Sequence, residues 1–158
     1  MSDEKDRMER EDYLANEQDM LRGLLEAAED RTQDVLPIEI ARKGKTYFRF
    51  RIRPLTEREY NICRDKATKY QRSRQLGGMK LPEETDTTRY RSLLIYEATV
   101  EEDRKRLWDN KEAWSRLNVL NGPDLIDAVL MAGEKDAIVA KIDEISGYDV
   151  DLEETAKN

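Results

Sequence analysis

The sequence predicts an α+β fold, one β-hairpin packed against four to five short helices and predominantly helical. Three observations predict it. Thr46 to Arg53 alternates apolar and polar side chains, the period of a strand with one wet face. Apolar residues three and four apart mark helical segments on both sides of it. A lone hairpin is marginal in water, so Phe48, Phe50 and Ile52 need a covering layer, which the helices supply.

Taken in order, residues 1–11 are almost wholly charged and read as a disordered acidic arm. Residues 12–34 read as an amphipathic helix and linker, with Leu14, Leu21, Leu25 and Ala28 on one stripe and Leu24 beside it. This helix either docks on its own core or meets a partner; Gly23 weakens it by about 1 kcal/mol relative to Ala. Val35 to Ile40 is β-prone, and Ala41 to Lys45 is turn-like around Gly44. On the following strand Tyr47, Arg49, Arg51 and Arg53 share the wet face. The three arginines suit phosphate or an acidic partner, or pair with the chain's own acidic segments.

Pro54 ends that strand. Thr56 and Glu59 have capping-box spacing, and Leu55 with Tyr60 has the spacing of a hydrophobic staple. The helix they start is expected to run to about Tyr70, with Tyr60, Cys63, Ala67 and Tyr70 on its stripe. Cys63 therefore reads as core. Residues 71–85 read as a polar loop around Gly77, Gly78 and Pro82. The next helix carries Leu93 to Tyr96, apolar all round, and is expected to be the most buried. Residues 101–118 have no assignable pattern, although Trp108 and Trp114 read as core anchors. Asn121 to Asp124 opens a short helix, Pro suiting a first turn, with Leu125, Ile126, Val129 and Leu130 as its stripe and Ala132-Gly133 at its close. A last helix carries Ile138, Val139, Ile142 and Ile145, and Gly147 stops it. The domain thus spans 35–148, and 149–158 reads as a flexible acidic tail.

Composition excludes function classes. The 158 residues contain no histidine, so His-activated nucleophiles, His general bases and His metal sites are impossible. No phosphate-binding loop, dinucleotide fingerprint or calcium loop is present. No enzyme activity and no cofactor are expected. One cysteine allows no internal disulfide, and no apolar run reaches the ~20 residues of a membrane helix. The net charge of −7 is segregated. Residues 1–34 hold 12 acids and 5 bases, residues 35–80 hold 4 and 13, and residues 81–158 hold 19 and 10. The basic segment 42–80, interleaved with aromatic residues, leaves open a small nucleic-acid-binding module or structural adaptor. The acidic flanks oppose phosphate contacts, so nucleic acid is the disfavoured partner.

Phe50 to Tyr60, continuing through Arg64 to Lys69, resembles a strand, Arg-Pro turn and basic helix end of the XkdN-like phage tail assembly chaperones. Leu130 to Glu134 and Ile142 to Asp149 are similar to that family's Gly-Glu helix start and Gly-aromatic-Asp close, and Glu153 to Asn158 looks like its ending. The resemblance implies a non-catalytic chaperone, phage- or prophage-encoded. It would bind the tape measure protein, keep that long helical chain soluble, and help tail tube subunits assemble around it. It would act in the host cytoplasm and be absent from the mature virion. Its partner face is expected at Leu14, Leu21, Leu24 and Leu25 first, and at Leu130, Met131 and Ile138 second, because these stripes lie on peripheral elements. Self-association is left open. Such chaperones are often made in two lengths by a −1 ribosomal frameshift. Ala156-Lys157-Asn158 is compatible with a slippery A AAA AAC heptamer, and a longer form would then carry an extra C-terminal domain that recruits tube subunits, with residues 149–158 as its flexible tether.

Overall fold

The computed structural model describes residues 2–31, 33–73 and 79–148. Among the described residues there are seven helices and two hairpins, in the order α1 (Ser2–Asp30), β1 (Leu36–Arg42), β2 (Lys45–Ile52), α2 (Glu57–Ala67), β3 (Thr68–Ser73), β4 (Met79–Thr85), α3 (Thr87–Ala98), α4 (Glu101–Arg106), α5 (Lys111–Leu117), α6 (Gly122–Val129) and α7 (Ala132–Ile145). The chain divides into two compact units, residues 1–34 and 35–158. The predominantly helical α+β class is as expected. The expected flexible tail 149–158, and with it the expected frameshift, lies outside the described residues.

The first unit is α1. It runs unbroken from Ser2, so residues 2–11, expected as a disordered arm, continue the helix expected from Asp12. The physical reason is local: Glu, Lys, Arg and Met are good helix formers, and Arg7 and Glu11 stand at i,i+4, a spacing that supports a helix.

In the second unit, β1 and β2 pair antiparallel with Ile38 opposite Phe50 and Ile40 opposite Phe48. Lys43 and Gly44 both take positive φ, 52° and 78°, the demand of a tight hairpin turn. Phe50 and Ile52 are buried while Tyr47, Arg49 and Arg51 are exposed, so the alternation sets the inward face. The free edge of β2 is closed by the chain leaving α3. Arg53 N–H donates to the Ala98 carbonyl at 2.7 Å and Val100 N–H to the Arg51 carbonyl at 3.0 Å.

Helix α2 starts as the sequence indicates. The Thr56 side chain accepts from the Glu59 N–H, and the Glu59 carboxylate accepts from the Thr56 N–H at 3.0 Å. Its end differs. Thr68 leaves the helix in extended conformation (φ −92°, ψ 128°), and β3 pairs antiparallel with β4, Thr68 opposite Thr85. Tyr70 is thus on a strand rather than on the α2 stripe, and strands occupy most of the expected loop 71–85. The Thr68 hydroxyl bonds the Arg64 carbonyl at 2.7 Å and meets the Thr85 hydroxyl at 2.9 Å, which locks the switch from helix to strand.

Helix α3 is the centre, packed against α2, α6 and α7. Leu93, Leu94, Ile95 and Ala98 are all buried, as its unbroken apolar run demands. Residues 101–118 form α4 and α5. Acids lead α4 and bases end it, matching the helix dipole, and Asn110 caps α5. Between them Trp108 is buried, its indole donating to the Thr99 hydroxyl at 2.9 Å. Phe48 and Phe50 meet it edge-on, at 5.8 and 5.4 Å, an aromatic geometry that adds to burial. Trp114 donates to the Trp108 carbonyl at 2.7 Å. Both tryptophans therefore anchor the domain.

Asn121 caps α6, and Pro123 sits in its first turn. Ala132-Gly133, read as the close of α6, instead opens α7. Leu130 is the α6 C-cap in extended conformation, so the break falls two residues earlier than the glycine suggests. Gly147, at φ +93°, stops α7 as expected.

Candidate partner-binding surfaces

Two surfaces collect the residues singled out from sequence. The first is α1. Every described residue from Asp3 to Arg31 is exposed. Leu14, Leu21, Leu24 and Leu25 are 56–69% exposed, and Tyr13 and Met20 are as open. Helical spacing puts Tyr13 and Met20 one heptad apart, beside the Leu14–Leu21 line. The sequence reading missed this second stripe because Asp and Gln neighbours interrupt it, although the seven-residue repeat was the available signal.

The second group splits. Met131 is exposed, but Leu130 and Ile138 are only 6% and 3% exposed and belong to the core. The cause is the position of α3, which packs against both α6 and α7 and takes up their apolar stripes. Peripheral elements in sequence need not be peripheral in space. Leu120, 87% exposed, went unremarked. It follows Asn118, which ends α5 in left-handed conformation (φ 55°).

The arginine face of β2 is a set of ion pairs. Arg49 reaches Glu39 at 3.4 Å. Arg51 pairs with Asp103 at 3.0 Å and Glu102 at 3.3 Å, and Asp103 also accepts the Arg51 N–H at 2.8 Å. Arg53 forks onto Glu59 at 3.1 and 2.6 Å and lies 3.5 Å from Glu97. The bonds have the usual electrostatic result. The Arg51 guanidinium, bonded to Asp103, is held above its ordinary range, and Asp103 below its own. Glu59 is drawn down to about 2, first by the Arg53 hydrogen bonds. The chain's own carboxylates thus occupy the basic face, the second of the alternatives its sequence allowed.

Two more cations missed by sequence reading hold the helices. Arg42, at the hairpin end, bonds both Glu134 oxygens at 3.0 and 2.6 Å and the Val129 carbonyl at 2.8 Å. Glu134 also accepts the Met131 N–H at 2.8 Å, capping α7. Lys135 is buried and donates to Asp127 at 2.9 Å and to the Thr88 carbonyl at 3.2 Å. Nothing local marks a lysine as buried; only the convergence of α3, α6 and α7 does so. Burial lifts the Cys63 thiol to about 11, so Cys63 stays protonated and packs as core.

The family model for phage XkdN-like tail assembly chaperones matches residues 21–158. The chain belongs to this family. The XkdN-like match takes in the whole of the second unit and the last third of α1, leaving residues 1–20 beyond it. No match is found among curated proteins. A solved structure described as that of the protein yqbn is 18% identical, with a TM-score of 0.44 over 75% of this chain and 90% of its own. As an XkdN-like chaperone the protein takes part in phage tail assembly.

Proposed function

We propose that the chain is a non-catalytic chaperone that binds the tape measure protein. It keeps that long helical chain soluble and gives way as tail tube subunits assemble around it. It does this in the host cytoplasm and does not remain in the mature virion. The observation that carries the reading is the exposed leucine set of α1, Leu14, Leu21, Leu24 and Leu25. Exposed apolar helix stripes are sites for another amphipathic helix. The arginines of β2, by contrast, are matched by carboxylates within the chain, which favours a protein partner over phosphate. The heavily charged remainder makes a soluble carrier.

Coexpression with the tape measure protein of the same phage tests this. The tape measure protein is expected in the soluble fraction, copurifying with the chaperone. Leu24→Asp with Leu25→Asp should abolish copurification while leaving thermal unfolding of the 35–148 domain unchanged. A tape measure protein equally insoluble with and without the wild-type chain would sink the proposal.

A further inference from the structure

The apolar face of α1 has a carboxylate at its centre. Glu17 is three or four residues from Tyr13, Leu14, Met20 and Leu21, so all four of its neighbours on the helix surface are apolar. Leu24 lies one heptad beyond, on the same line. Glu17 makes no ion pair or hydrogen bond among the described residues. A helix that covers this face must desolvate Glu17, and a buried carboxylate without a counter-charge is strongly unfavourable.

We propose that this face, formed by Tyr13, Leu14, Glu17, Met20, Leu21 and Leu24, takes an amphipathic helix of the tail partner that sets a lysine or arginine opposite Glu17. The proposal rests on the functional reading above and names the chemistry of the partner. Glu17 acts as a register pin, as a single polar residue does in a coiled-coil seam. The leucines supply affinity, and the ion pair fixes which stretch of a long helical chain is held.

Charge decides against a second copy as the occupant. Residues 2–30 carry eleven acids and four bases, so two α1 helices repel each other. An antiparallel pair that sets Arg10 of the second copy against Glu17 places Asp6 and Asp3 of that copy opposite Leu21 and Leu24. A parallel pair that joins Glu17 to Arg22 of the second copy puts Glu11 and Gln18 into the seam and leaves Tyr13 and Met20 outside it. Both of these self-pairings satisfy the carboxylate only by giving up apolar contact. A foreign helix with one basic residue inside its apolar stripe satisfies both.

Two synthetic helical peptides test the proposal on the full chain. They share one leucine stripe and differ by Lys or Glu at its central position. The wild-type protein is expected to bind the Lys peptide more tightly by about tenfold or more, the scale of coupling for close interfacial charge pairs. Glu17→Lys should reverse the preference, and Glu17→Gln should remove it, both at wild-type helix content by circular dichroism. Equal affinities for both peptides, or no binding of either, would overturn the proposal. So would a wild-type dimer in sedimentation that Leu21→Asp dissociates. Copurification of the tape measure protein separates the two readings. If it survives in Glu17→Lys and in Leu21→Asp, the function stands and this site falls. If the wild-type chain already fails to copurify it, the functional reading itself fails.

Discussion

Glu59 serves two structural roles at once. It accepts the Thr56 N–H as half of the capping box, and it forks onto Arg53 at the end of β2. Its carboxyl is held at about 2 against an ordinary 4.5, so the folded chain binds this proton less tightly than the unfolded chain. The stability it contributes is complete above the unfolded value and is lost as pH falls from about 4.5 towards 2. Glu59→Gln should cost about 1–2 kcal/mol near pH 7 and should narrow the gap from wild type on acidification. Urea titrations of both proteins at pH 7, 4 and 3 check this; a gap that widens below pH 4 would contradict it. Gly122 is set by sterics instead. A Cβ there would overlap the Tyr96 ring, 2.7 Å from Cδ2, and the Tyr96 hydroxyl donates to Asp109 at 2.9 Å. Gly122→Ala should destabilise by about 1–3 kcal/mol through overpacking, read as a lower urea midpoint at unchanged slope.

At the scale of elements, α1 and α3 are opposites. Helix α3 is held by what packs on it, with Ser92 to Ile95 and Ala98 all buried. Helix α1 is exposed all round, so its helicity rests on propensity and local pairs such as Arg7–Glu11 and Asp19–Arg22. Gly23 is then its weakest position. A Cβ at Gly23 meets nothing within 4 Å, so Gly23→Ala should favour the helix by about 0.5–1 kcal/mol. The expected result is a stronger helical circular dichroism signal at 25 °C with no change in the main unfolding transition. A shifted main transition would mean that α1 shares the core. The hairpin β1–β2 is intermediate: its aromatic face is fixed by Trp108, and its turn end by Arg42 on Glu134.

At the scale of the molecule, every buried core residue and every apolar residue packed against it, among the described residues, falls between Leu36 and Ile145. Residues 35–158 should therefore fold alone, with a urea midpoint close to that of the full chain, and should lose the partner-binding assigned to α1. A fragment that unfolds without a cooperative transition would show that the first unit is needed for the fold. The charge segregation also has a molecular meaning. Much of the basic stretch around β2 is neutralised by acids brought in from α2, α3 and α4. On α1, Glu17 makes no ion pair among the described residues and keeps its charge exposed to solvent.

The sequence alone determined whatever depends on neighbours in the chain. The Thr46–Arg53 alternation set which face of β2 is wet, because a strand has only two faces. Thr56 and Glu59 started α2, and Gly147 ended α7, because caps and left-handed turns are local. The family resemblance was legible in the same way, from ordered segments. Tertiary structure decided what depends on residues far apart. Leu130 and Ile138 look like surface stripes until α3 packs on them. Lys135 looks solvated until Asp127 and the Thr88 carbonyl surround it. Thr68 to Tyr70 leaves the expected helix because β4 offers a ladder of backbone hydrogen bonds. In each case a partner distant in sequence changes the balance of burial and hydrogen bonding, and no local pattern records it.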